Sequence, residues 1–227
     1  FAIAQLSMMG YSQTPKWADK ARKAVFSVVT YDGNDKILNT GNGFFISEDG
    51  VAISDYALFK NAQRAVVLTA EGEKMPIKAI LGANDMYDVI KFKVDITSKK
   101  VPSLTLSNAQ LPEGSKLWLL PYSTQKVRSL LSGIVKETDK ISDYSYYTLD
   151  LPLKEKMVSC PLMNEGGEVV AIAQKASGQD TTTICYGVDV RFANSQSITA
   201  LSYNDYSLKQ IGIKKALPDT EEQALIF

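Results

Sequence analysis

The chain has 227 residues, 45% of them hydrophobic, so it can bury a substantial core and does not read as disordered. Lysine plus arginine balances aspartate plus glutamate at 25 each, and no basic stripe stands out, which argues against a nucleic-acid partner. No apolar run is long enough to cross a bilayer as a helix, and the chain contains no histidine.

Phe1 to Gln13 is apolar and uncharged. It reads as the remnant of a signal-peptide apolar region, with Gly10 and Ser12 as a small-x-small cleavage pattern; the alternative is an ordinary terminal helix or strand. Thr14-Pro15 reads as a helix start, a threonine cap followed by proline at the first helical position. Trp17, Ala21 and Ala24 follow at helical spacing. Val25 to Tyr31 is β-branched and aromatic, which predicts a strand. The turn Asp32-Gly33-Asn34-Asp35 leads into strands at Lys36 to Asn39 and Gly41 to Ser47. Val51 to Ser54 follows the tight turn Glu48-Asp49-Gly50. Leu58 to Ala62 suits one helical turn. Ala65 to Thr69, Pro76 to Leu81 and Asp88 to Val94 complete six or seven short, regularly spaced strands, as in a barrel or sandwich.

Asp95 to Pro112 is polar and carries Pro102 and Pro112, so it is the expected connector. A second strand series runs Lys116 to Pro121, Val127 to Glu137, Tyr144 to Leu151, Glu168 to Gln174 and Thr182 to Val190. Leu130, Ser132, Ile134 and Lys136 alternate as in a long, half-buried strand. Phe192 to Leu201 predicts a short helix. Leu217 to Glu222 looks like a helix cap and first turn. The expected divisions are residues 1–13, a signal remnant; 14–98, a first β-unit; 99–205, a second; and 206–227, the start of a helical module.

The stretch Lys156-Met157-Val158-Ser159-Cys160 carries the functional question. Ser159 and Cys160 are nucleophile types, with a lysine nearby as a candidate base. The bland reading makes Cys160, next to Pro161 in an apolar run, a small core residue. Cys160 and Cys185 are too few for a disulfide framework; a single bridge and two buried thiols are both open. Trp118, Tyr122, Tyr146 and Tyr147 would line a peptide groove or pack a barrel. No His/Cys cluster or Gly-rich phosphate loop appears, so neither metal nor cofactor is expected.

Gly41 to Gly50 is similar to the opening of bacterial trypsin-like serine proteases of the HtrA (DegP) type. Asp85 to Asp95 resembles their aspartate-bearing strand, and Ser132-Gly133-Ile134-Val135 resembles another of their strands. Pro161 to Val170 resembles the segment after their nucleophile, and Tyr186 to Val190 their last barrel strand. These matches occur in the family's order. The resemblance implies an all-β fold, two six-stranded antiparallel barrels with a cleft between them and short helices at the ends. The signal-remnant reading of Phe1 to Gln13 implies export, to the periplasm or cell envelope of a bacterium.

Position by position, the resemblance puts the family's histidine at Ala57, its aspartate at Asp88 and its serine at Val158. Lys156, Ser159 and Cys160 replace glycines, so Lys156 and Met157 lie in an altered oxyanion turn. Asp88 reads as a relic, or more simply as a cap at the start of its strand. Without an imidazole to take the hydroxyl proton, ordinary serine-protease chemistry has no base. The expectation is a pseudoprotease that binds a peptide or protein in the cleft. The alternative is a hydrolase using Ser159 or Cys160.

Overall fold

A computed structural model of the chain describes residues 14–84, 87–141, 144–175 and 184–194. The expected signal remnant and the expected helical module at 206–227 lie outside these residues. Two closed antiparallel barrels are present. The first comprises β1 (Val25–Tyr31), β2 (Ile37–Phe45), β3 (Val51–Ser54), β4 (Arg64–Leu68), β5 (Lys74–Asn84) and β6 (Val89–Val94), closing in the order β1-β2-β3-β6-β5-β4. The second comprises β7 (Lys116–Leu119), β8 (Leu131–Ile141), β9 (Tyr144–Pro152), β10 (Pro161–Met163), β11 (Val169–Lys175) and β12 (Ile184–Asp189). Its order, β10-β11-β12-β9-β8-β7, repeats the pattern of the first. Closure removes most strand edges, which suits strands rich in Val, Ile and Phe.

Strand β1 shows why the barrels pack on each other. Phe26 and Val28 face the interior of the first barrel with Phe45, Phe59, Ile77 and Phe92. Val25 belongs to a second buried cluster, with Phe44, Ile53 and Val89 from the first barrel and Leu120, Met163, Val169, Ile172 and Val188 from the second. That cluster is the seam. A strand buried on both faces reads as a continuous apolar run, as Val25-Phe26-Ser27-Val28-Val29 does. The second barrel has its own interior, including Leu117, Leu119, Val135, Tyr147, Leu149 and Leu162.

Several expected boundaries move. Lys36 to Asn39 and Gly41 to Ser47 merge into β2, because its ladder to β1 continues through Val28↔Gly41. The four-residue helix α1 (Ala18–Ala21) has no side-chain cap. Thr14 does not cap it; its hydroxyl donates to the Arg128 carbonyl (2.7 Å). Strand β8 begins at Leu131 rather than Val127, with Gly133 and Val135 buried and Ile134 45% exposed. The helix expected at Phe192 to Leu201 is described only to Asn194, as a 3₁₀ turn, Val190–Asn194.

Gly43 sits where the strands approach closely. A Cβ there would lie 2.5 Å from a Phe26 ring carbon and 2.6 Å from the Ile53 carbonyl oxygen. The backbone oxygen cannot rotate away. Gly43→Ala is therefore expected to lower stability by about 1–3 kcal/mol, the range for overpacking. Urea denaturation would show this as a lower midpoint at unchanged slope.

Candidate functional site

Ala57, Asp88 and Val158, the three positions singled out by the resemblance, lie on turns next to the strands of the seam. Ala57 stands in a 3₁₀ turn, Tyr56–Phe59, directly after β3. Asp88 precedes β6 and has a left-handed backbone (φ 51°). That conformation is uncommon outside glycine, though aspartate adopts it more readily than most residues. The Ala57 N–H donates to Asp88 Oδ1 (2.7 Å), and the Tyr56 N–H donates to the Asp88 carbonyl (3.2 Å). Asp88 is thus a cap, as the simpler reading proposed, but for the turn that carries Ala57 and not for its own strand. Burial raises its pKa, while the Ala57 N–H and the Lys60 ammonium pull it the other way.

The turn from Lys156 to Cys160 is packed into the second barrel. Lys156 is exposed; Met157 and Val158 are half-buried against that barrel's core. Ser159 and Cys160 are fully buried. Ser159 has φ 64°, a backbone glycine adopts freely and serine only at a cost of about 1–2 kcal/mol. Its N–H donates to the Ala173 carbonyl (2.8 Å), and the Cys160 N–H to the Met157 carbonyl (3.3 Å). The Ser159 hydroxyl has no hydrogen-bond partner. The structure therefore does not pair Lys156 with Ser159, as a serine–lysine arrangement requires.

The seam is also bridged by polar groups. Asn42, in β2, donates from one amide nitrogen to the carbonyls of Lys156 and Val158, both at 2.9 Å. Gln174, in β11, donates to the carbonyls of Tyr87 (2.6 Å) and Asp88 (3.3 Å). Tyr122 donates to the Thr69 carbonyl (3.3 Å).

Asp55 is the most perturbed group. It is almost fully buried, and its Oδ1 makes no hydrogen bond. Burial pushes its pKa up to about 8, nearby Asp88 adds to the rise, and the Ser159 hydroxyl opposes it. Ser159 is close enough to act on Asp55 electrostatically, yet neither side chain reaches the other with ordinary hydrogen-bond geometry. At neutral pH Asp55 is a neutral acid, unable to serve as a strong base. Burial likewise pushes the Cys160 thiol up to about 12, with Asp55 contributing, and the Cys185 thiol up to about 12. Both cysteines are free. Neither supplies a thiolate at neutral pH.

The four aromatic candidates separate. Tyr147 is in the second barrel's interior and accepts the Leu111 N–H at its hydroxyl (3.3 Å). Tyr146 stacks on Tyr87 at the seam (5.7 Å between centroids, 21° between planes). Tyr122 packs there too, and Trp118 lies under Trp17 (6.3 Å, 87°). Among the described residues, no group of three or more His, Cys, Asp and Glu side chains gathers as a metal site.

Residues 41–172, more than half of the chain, match the family model of the trypsin-like peptidase domain. The chain belongs to the trypsin-like peptidase family. Its relatives include the serine protease HTRA1A of Danio rerio, 25% identical over 158 residues, covering 65% of this chain and 32% of that protein. The serine endoprotease DegS of Haemophilus influenzae is 24% identical over 172 residues, covering 72% and 50%. The "Probable periplasmic serine endoprotease DegP-like" of Halomonas elongata is 27% identical over 137 residues, covering 58% and 28%. The match spans half or less of the length of these relatives.

Within the trypsin-like frame, sequence reasoning missed Asn42, Asp55 and Gln174. Asn42 lies between two glycines at the start of an expected strand, and nothing local marks its side chain as a bridge to the second barrel. Asp55 had a signal: a charge directly after the apolar strand Val51-Ala52-Ile53-Ser54 and before Tyr56.

The raised Asp55 pKa fixes a pH dependence. Below about pH 4 the carboxyl is protonated in both the folded and unfolded chain, and stability is unaffected. Between about 4 and 8 the unfolded chain ionises first, so stability falls as pH rises, and the loss levels off above about 8. Asp55→Asn is expected to flatten much of this slope and to exceed the parent stability at pH 8 by a few kcal/mol. Parallel pH profiles of the two proteins in urea denaturation would contradict it.

Proposed function

We propose that this trypsin-like domain is proteolytically inactive and works as a peptide- or protein-binding or scaffolding module of an exported protein. One observation carries the reading: a chain without histidine has Ala57 at the position of the base. Val158 at the nucleophile position and the burial of Ser159 and Cys160 support it. In well-studied serine proteases, removing triad members lowers turnover by about four to six orders of magnitude. Here the turn itself also differs, because Asn42 holds the carbonyls on both sides of Met157.

Binding survives such losses, since a surface needs no proton acceptor. Barrel closure limits a peptide's addition along an edge, but of β8 only Leu131 to Ile134 is paired with β7. The longer ribbon of β8 and β9 extends past that pairing to Ile141↔Tyr144 and offers the best place for an added strand. Export is supported by the apolar stretch Phe1 to Gln13 and by the periplasmic name of one relative.

The rival reading is a hydrolase using Ser159 or Cys160. It is tested by treating the native and urea-unfolded protein with a fluorophosphonate and with iodoacetamide. The expected outcome is no fluorophosphonate adduct in either state and thiol alkylation only after unfolding. Native-state labelling that disappears in Ser159→Ala or Cys160→Ala would establish the hydrolase instead.

A further inference from the structure

Strand β8 outruns its neighbour. Its pairing with β7 ends at Ile134. Just beyond, the Val135 N–H donates to the Ser115 carbonyl (2.9 Å) and the Val135 carbonyl accepts the Gly114 N–H (2.8 Å). From Lys136 to Lys140 that side of the strand has no backbone partner among the described residues, while β9 holds the other side as far as Ile141. A row of free N–H and C=O groups is a template for another strand. Resting on the peptide-binding reading above, we propose that this edge takes an extended peptide with lysine or arginine at alternate positions, its basic side chains on the face of the sheet that turns toward the first barrel.

The ladder assigns the faces. Residues opposite each other in an antiparallel pair stand on one face, and successive residues alternate. Asp139 stands opposite Tyr146, and Glu137 opposite Thr148. Tyr146 in turn stands opposite Val188, and both pack in the seam between the barrels. Glu137 and Asp139 therefore share the seam face, one strand out from Tyr146. Thr138 stands opposite Tyr147, which lies in the second barrel's interior, and Lys140 stands opposite Ser145. These two belong to the other face.

The charge on the seam face is one-sided. Glu137 and Asp139 are exposed, and neither has an ion-pair partner among the described residues. Lys136, the cation beside them, is already drawn to Asp150 (3.6 Å). On the first barrel, Lys60 lies over the Tyr56 ring (5.2 Å to its centre) and acts on Asp88. An added strand places its Cβ atoms about 5 Å from those directly opposite, so basic side chains there reach Glu137 and Asp139 while acidic ones are repelled. The intervening side chains meet Thr138 and Lys140, where uncharged residues fit. Charges on an exposed edge also discourage aggregation. That role alone needs no sorting by sign, whereas here both unpaired acids share one face and Lys140 takes the other.

The full chain is titrated, by fluorescence anisotropy, with labelled octapeptides alternating threonine with lysine, with glutamine or with glutamate. The lysine peptide is expected to saturate at micromolar to millimolar concentration. It is expected to bind about fivefold or more tighter than the glutamine peptide, with the glutamate peptide weakest. The double variant Glu137→Gln/Asp139→Asn, two exposed and nearly isosteric changes, is expected to remove that preference, and added salt to reduce it. Two further lysine peptides carry N-methyl groups, one on the threonine amides and one on the lysine amides. Charge is kept in both, and at least one is expected to lose binding, because alternate amides of an added strand face the edge. Equal affinity for the lysine and glutamine peptides leaves an edge that binds peptides and overturns the charge selection alone. Retention of binding by both methylated peptides, or of the lysine preference by the double variant, overturns the site. No saturation by any peptide up to ~10 mM overturns the peptide-binding reading with it.

Discussion

One amide of Asn42 holds two carbonyls, those of Lys156 and Val158, at 2.9 Å each. Much of the site depends on this contact, because it ties the turn of the second barrel to a strand of the first. The turn then sits with Val158 against the second barrel's core and with Ser159 and Cys160 out of solvent. A catalytic turn needs the reverse, a hydroxyl presented to the cleft and backbone donors aimed at the developing charge. Here the stretch joins one barrel to the other through Asn42.

The seam around that contact combines a large apolar area with a small polar remainder that is poorly matched. Phe44, Ile53, Met163, Ile172 and their neighbours supply the attraction. Asp55 and Ser159 are the cost, two buried polar side chains with unmatched atoms. Such groups are tolerated when the surrounding packing is strong enough, and they cluster where a fold once had, or still has, a special task. Ser159 carries part of this cost in its backbone, which takes the left-handed conformation that glycine adopts most freely.

Much of the architecture was legible in the chain. Val25 to Tyr31 declares a strand buried on both faces, and the short motifs fall in family order, so two barrels follow. The absence of histidine is plain in the composition. The rest was hidden for physical reasons. Gly41 to Ser47 reads as a separate strand with glycines at its start, but the reason for the glycines, close approach of Gly41 to Leu58 and of Gly43 to Phe26 and Ile53, is a long-range one, and the strand runs on from Ile37 without a break. Thr14-Pro15 has the form of a helix cap, but the Arg128 carbonyl from the second barrel takes the hydroxyl. The pairing of Trp17 with Trp118, and the burial of Ser159, depend on long-range contacts that no local pattern encodes.

The central claim is that this domain kept a protease's barrels without its ability to break a peptide bond. Its most direct test is incubation of the purified chain with an unfolded-protein digest and with a diverse synthetic peptide library, read by mass spectrometry over many hours. The account predicts no new termini beyond those in a buffer control, from pH 5 to 9. Sequence-selective cleavage that co-purifies with the folded chain and vanishes in Ser159→Ala or Cys160→Ala would contradict it.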